Sequence, residues 1–240
     1  MWYNINIEIL GKITDKNTFL KDSLNFYELK NNNLDWLLKK ICHDALAHYI
    51  NNFTINGVTN EKEYFLYIDH IVDFLKILIQ KNDFDIQDLL DLHKIILTPL
   101  IDEKVKNIWE IRTHWVITKE KIYHKWLTEN FISEHKVKKY MNELFLEYKN
   151  NDNSLEKIIT LYNYLIAKIH PFTNWNGRTL AILLDTLLIK HDFLPLFLWW
   201  QNKNKRVVIS EDYIKHRNMN KLISDNYKVI LDIYSHYQIK

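Results

Sequence analysis

The consecutive stretches LYNYLIAKI (161–169), HPFTNWNGR (170–178) and TLAILLDTLLI (179–189) set two strongly apolar runs on either side of a polar loop. Their reading decides the fold. Each flank reads as a helix, and the second, almost continuously apolar, reads as a central helix buried on all sides. Even extended to TLAILLDTLLIKHDFL it is shorter than the ~18 to 20 residues that cross a bilayer, so it belongs in a core. Pro171 fixes its own φ and pushes His170 out of helical geometry, which ends the first helix near Ile169. Gly177 supplies backbone freedom just before the second helix, whose first N–H groups lack partners and whose dipole favours anions. Arg178 adds a planar cationic fork suited to phosphate oxygens. His170, with an ordinary pKa of roughly 6.5, is largely able to accept a proton at neutral pH. Two readings stand at this point: a structural turn between helices, or an anion cradle with a base beside it.

Composition narrows the field. With 240 residues, 47% of them hydrophobic and 14% aromatic, the chain can fill a substantial core. Basic and acidic side chains nearly balance, 32 against 30, so no global field recruits nucleic acid and any polyanion must be bound locally. A single cysteine, Cys42, allows neither an internal disulfide nor a cysteine-rich zinc site. The N-terminal MWYNINIEILGKITDK lacks the pattern of a cleavable signal, and no apolar run is long enough to span a membrane. The expectation is a cytoplasmic protein without a membrane anchor, with export by a route that needs no cleavable signal left open. Three glycines and three prolines, none clustered, exclude a Rossmann fingerprint and a P-loop and argue against a β-sandwich.

Helical periodicity recurs along the chain. LDWLLKKICHDALAHYI (34–50) places Leu34, Leu37, Leu38, Ile41 and Ala45 near one face. EKEYFLYIDHIVDFLKILIQK (61–81) shows a stripe of Phe65, Ile68, Ile71 or Val72, Leu75, and Leu78 or Ile79. Asp85 reads as the N-cap of IQDLLDLHKIIL, with Pro99 beyond its end. Ser133 and Ser154 read as caps of EHKVKKYMNELFLEYKN and LEKIITLYNYLIAKI. By contrast, IWEIRTHWVITKEKIYHKW is rich in β-branched and aromatic residues and suggests a short hairpin. One or two further helices are expected around SEDYIKHRNMNKLISDNYKVILDIY. His93 reads as a packed or capping residue, Trp199 and Trp200 as core or interface, the run Lys203 to Arg206 as a solvated turn, and Tyr213 as a residue of a C-terminal helix that would approach a nucleobase.

HPFTNWNGR resembles the signature loop of the Fic (filamentation induced by cAMP) family, His-Pro-Phe-x-Asp/Glu-Gly-Asn-Gly-Arg-x-x-Arg. His170, Pro171, Phe172, Asn176, Gly177 and Arg178 match in register. Upstream, Leu92-His93, Arg112 followed by THWVIT, and Met141 with Leu144 resemble the family's remaining landmarks. The resemblance implies a mainly α protein, a Fic-like helical bundle with one short β-hairpin flap. It divides the chain into an N-terminal helical region (1–85), a Fic core (86–200) and C-terminal helices (201–240), packed as one structural unit. It also implies transfer of a nucleotide monophosphate, most often AMP from ATP, to a Ser, Thr or Tyr hydroxyl of a target protein. His170 would be the general base. Thr173, Asn174, Trp175, Asn176, Gly177 and Arg178 would hold the nucleotide, Mg²⁺ would sit at Asn174, and Val116, Ile117 and Thr118 of the flap would grip the target by adding a strand.

Three departures separate this loop from the family pattern. Asn174 stands where an acidic magnesium ligand is usual. Trp175 stands where glycine is usual, and its Cβ and indole restrict positive φ and the close approach of phosphate. Ala181 replaces the second arginine. The family's inhibitory Ser-x-x-x-Glu-Gly helix, which pairs with that arginine, is matched near 45–57 only by NNFTING, with Asn52 and Asn56 at the Ser and Glu positions and Gly57 at the Gly. Both charges of the inhibitory pair are therefore missing together. Two alternatives stay open: a transferase using another donor, UTP or a CDP-alcohol, and a non-catalytic Fic-fold binding module. A homo-oligomer also stays open. The abundance of Asn, Lys and Ile fits an A/T-rich, bacterial genome.

Overall fold

The computed structural model describes residues 7–50, 61–98, 110–113, 117–122, 125–198 and 218–236. Nine α-helices run through them: α1 Ile7–Ser23, α2 Phe26–Asn32, α3 Leu34–Ile50, α4 Glu61–Gln80, α5 Ile86–Leu97, α6 Glu134–Asn150, α7 Ser154–Asn163, α8 Asn176–Lys190 and α9 Met219–Ser235. A π-helical turn, Tyr164–Ile169, continues α7. Strands β1 Ile117–Ile122 and β2 Lys125–Asn130 lie between α5 and α6 and pair antiparallel, with Ile117 opposite Asn130 and Ile122 opposite Lys125.

Helix α8 is the axis of the fold. Every residue from Thr179 to Ile189 is buried, as expected of an almost unbroken apolar run, and α3, α4, α5 and α7 all pack against it. Its one carboxylate, Asp185, is fully enclosed and accepts from the backbone N–H groups of Leu196 and Phe197 at 2.6 and 3.1 Å. The chain is thereby turned back along α8 just beyond the helix's end. Asn17 of α1 receives the same returning segment, accepting from Leu194 N–H and donating to Asp192 O, both at 3.1 Å.

Local chemistry explains the helix starts. Asp85 caps α5 through a reciprocal box, its carboxylate accepting from Asp88 N–H at 3.1 Å while Asp88 accepts from Asp85 N–H at 2.9 Å. Ser133 stands at the N-cap of α6 as expected, though its side chain makes no capping bond. The cap of α7 is Asn153 and not Ser154: the Asn153 amide oxygen accepts from Glu156 N–H at 3.0 Å, and Ser154 is the first helical residue. An Asx side chain one position earlier reaches the third helical N–H and wins. The expected stripe of α4 is corrected at Phe65, which is 46% exposed, whereas Tyr64 and Tyr67 turn inward. Each tyrosine pays for its burial with a hydroxyl partner, Tyr64 with His43 Nδ1 at 2.9 Å and Tyr67 with Ile96 O at 2.7 Å.

Candidate active site

The π-helical turn delivers His170. Its widened spiral closes with His170 N–H donating to Leu165 O, five residues back, at 2.8 Å, and such turns recur at functional sites. His170 itself adopts a left-handed backbone, φ 49° and ψ 67°. That conformation costs an L-residue roughly 1–2 kcal/mol, so its surroundings must hold it.

Arg112 does much of that holding. Buried to 2% exposure, it donates from Nε to His170 O at 2.7 Å and from one terminal nitrogen to Ile169 O at 3.0 Å and Ile132 O at 2.5 Å. Its own N–H donates to Pro171 O at 2.9 Å, and Ile132 N–H donates to Lys168 O at 3.2 Å. The residues flanking the hairpin are thus laced to the backbone on both sides of His170.

The imidazole is oriented from two directions. Phe131 stacks on it at a centroid distance of 3.9 Å and 19°. Nδ1 lies 3.2 Å from Ile166 O; a carbonyl can only accept, so Nδ1 carries the proton and Nε2 presents a lone pair. Burial pulls the pKa down to about 4, against the Ile166 bond, which raises it, and with the nearby Arg112 charge, which lowers it further. At pH 7 the ring is neutral, with its proton-accepting nitrogen defined.

The loop after His170 is braced from inside. Asn176 is buried and pairs with Phe172 twice, accepting from its N–H at 3.0 Å and donating to its carbonyl at 2.8 Å. Phe172 stacks on His93 at 3.6 Å and 7°, and His93 Nδ1 meets Thr179 Oγ1 at 2.8 Å, so His93 is the packed residue its setting suggested. Trp175 takes φ 62°, keeping the left-handed turn that its bulk was expected to discourage. The double bond of Asn176 and the seat of the Arg178 guanidinium over the indole, 4.4 Å from its centroid, hold it there. Thr173, Gly177 and Arg178 are partly exposed, and Asn174 is exposed.

Asn174 Oδ1 accepts from Trp175 N–H at 2.8 Å. This neutral oxygen is already engaged, and among the described residues no group of three or more His, Cys, Asp or Glu could hold a metal ion. The donor set does not fit a magnesium held by the protein. Ala181 is buried at the place of the second signature arginine. Ile117 and Thr118 open β1, opposite Asn130 and Glu129; Val116, Asn52, Asn56, Gly57, Trp199, Trp200, residues 203–206 and Tyr213 lie outside the described residues. A groove of about 740 Å³ lined by Ile86, Leu90, Ile111, Lys138 and Phe145 lies between α5 and α6, apart from the loop. Sequence reasoning noted Arg112 only as a landmark and missed Phe131; the signal available was a lone arginine in the apolar run IWEIRTHWV.

A profile described as the Fic/DOC family matches residues 83–188, from just before α5 almost to the end of α8. The matched segment, a little under half of the chain, is similar to that family. Over 84 residues the chain is 30% identical to a protein from Aedes aegypti named protein adenylyltransferase Fic, covering 32% of this chain and 16% of that one. The match thus spans about a sixth of that relative. Among solved structures, a Fic family protein from Desulfovibrio desulfuricans superposes with a TM-score of 0.68 at 16% identity, over 100% of this chain and 77% of that one. A Fic-1 fragment from C. elegans gives 0.64 at 16% identity, over 97% and 71%. A Fic domain containing signaling protein from Bacteroides thetaiotaomicron gives 0.56 at 14% identity, over 95% and 93%. The Fic fold therefore extends over the helices outside the matched segment as well.

Proposed function

We propose that this chain transfers a nucleotide monophosphate, AMP from ATP in the first instance, to a Ser, Thr or Tyr hydroxyl of a target protein. The observation that carries the reading is the state of His170: a neutral imidazole whose Nδ1 proton is given to Ile166 O, leaving Nε2 to take a proton. In the reaction Nε2 removes the proton of the attacking hydroxyl as its oxygen bonds to the α-phosphorus and pyrophosphate leaves. The N–H groups at the start of α8, with Arg178, meet the phosphate charge. The hairpin lies beside an extended target segment as an added strand. No protein metal ligand is invoked; any Mg²⁺ comes with the phosphates of the nucleotide. The named Aedes aegypti relative adds support at the level of the family segment.

A second reading rests on the wall of the loop. Trp175 in place of a small residue, Asn174 engaging the Trp175 N–H, and Ala181 in place of a cation all reshape the surface that would meet a triphosphate tail. They favour a donor with fewer phosphates beyond the transferred group, such as a CDP-alcohol, over ATP. The test is a panel of labelled nucleotides with Mg²⁺ or Mn²⁺, run beside His170→Ala. General-base removal lowers turnover by roughly 10²- to 10⁴-fold, so label should appear with one donor and vanish in the variant. Equal labelling in both proteins sinks the role given to His170, and labelling by none of the donors favours a binding module.

A further inference from the structure

We propose that Arg112 is the positioning residue of His170 and joins the hairpin to it, so that a segment engaged at the hairpin is registered at the imidazole. The inference rests on the reading of His170 as the base. Arg112 precedes β1, and Ile132 follows β2. The Arg112 side chain binds the carbonyls of Ile169, His170 and Ile132, its backbone binds Pro171, and Ile132 N–H binds Lys168. Phe131, between β2 and Ile132, lies flat against the imidazole. Both roots of the hairpin are therefore fastened to residues 168–171 by groups that a displacement of either strand would strain.

The fork explains why arginine is used. Three backbone oxygens from two chain segments converge on one planar guanidinium, and two of them belong to the end of the π-helical turn, where carbonyls lack helical partners. An ammonium keeps the charge and loses the fixed directions. With the fork gone, His170 is no longer held in its left-handed conformation, and the Nδ1 contact with Ile166 O loosens. The Arg112 Nε bond to His170 O acts on the base through its backbone, and the guanidinium charge nearby lowers the pKa of the ring.

The experiment uses the full chain with ¹⁵N-histidine, comparing wild type with Arg112→Lys, which preserves the charge. Wild type should show His170 with the proton on Nδ1. The folded variant should show a tautomer mixture, and its kcat for labelled transfer should fall by roughly 100-fold with nucleotide KM little changed, as expected of a misplaced base. A folded Arg112→Lys protein that keeps the wild-type tautomer overturns the proposal. The tautomer readout needs no substrate, so it decides the matter even where no donor is accepted and the transfer reading itself fails. Should Arg112→Lys not fold, amide exchange of the wild type decides: Arg112, Ile132 and His170 N–H should exchange through one common opening. Exchange of Ile132 N–H at least about tenfold faster than that of His170 N–H overturns the coupling.

Discussion

At the scale of single residues, the proposed reaction requires a neutral His170. Burial holds His170 at a pKa of about 4, well below the free value of roughly 6.5. The acid limb of kcat/KM against pH should therefore have its midpoint near 4, with activity level from pH 6 to 8; a midpoint near 6.5 would show that the ring titrates as an exposed group. Stability follows the same shift. As pH falls, the unfolded chain binds a proton on His170 before the folded chain does, so the stability present above about 6.5 is lost as pH drops toward 4. The placement of His170 between two helices was legible because Pro171 and Gly177 punctuate the chain at fixed points. The tasks of its neighbours were not. Asn176 reads from sequence as a nucleotide contact, and the pairing of its side chain with Phe172 was not foreseen, because the partner of an amide is set by a backbone path that spacing does not disclose. Trp175 reads as an obstacle to positive φ, yet it adopts that conformation with the Arg178 guanidinium seated over its indole.

At the scale of elements, α8 shows how a helix reads well in outline and poorly in its one exception. A run of buried Leu and Ile is legible as a core helix; the job of the aspartate inside it is not, because Leu196 and Phe197 are its partners only after the chain has turned back. Burial, with Asp44 as a like-charged neighbour, raises the Asp185 pKa to about 8, while the two N–H donors pull the other way. With the folded pKa raised, the folded state holds a proton that the unfolded state has released. Its contribution is complete below about 3.9 and is lost as pH rises toward 8. Urea melts at pH 7 and pH 8, both above the range in which His170 lowers stability, should accordingly show wild type weaker at pH 8, and Asp185→Asn should flatten that difference. The variant also sets an NH₂ group where a backbone donor must be met, costing about 1–3 kcal/mol. A slope unchanged in Asp185→Asn would mean that another group sets it. Helix starts were legible to within a residue, as the capping box at Asp85 and the shift from Ser154 to Asn153 illustrate. The π-helical turn was not, since an extra residue per turn leaves the apolar pattern of LYNYLIAKI unchanged.

At the scale of the molecule, the first and last described helices pack on each other outside the matched segment. α9 packs against α1 and α7; its Asn226 donates to Asn163 Oδ1 at 2.6 Å, just before the π-helical turn, and its Tyr234 hydroxyl donates to Leu194 O at 2.7 Å. Motifs mark the segment that the family profile matches, whereas α1 and α9 carry no motif and declare themselves only through the surfaces they cover. Those surfaces set the last expectation. Ile223, Tyr227, Ile230, Ile233 and Tyr234 are all buried, and burying an aliphatic or aromatic side chain of this size is worth about 1.5–3 kcal/mol. Five such losses, about 7.5–15 kcal/mol, are comparable to the ~5–15 kcal/mol by which a domain is stable. A chain ending at residue 217 should therefore show no cooperative urea transition, although it retains every residue of the loop and of the matched segment. Tyr234→Phe, which removes the bond to Leu194 O, should unfold cooperatively and lose about 0.5–1.5 kcal/mol. A truncated chain melting as sharply, and as high, as the full one would place α9 outside the cooperative unit.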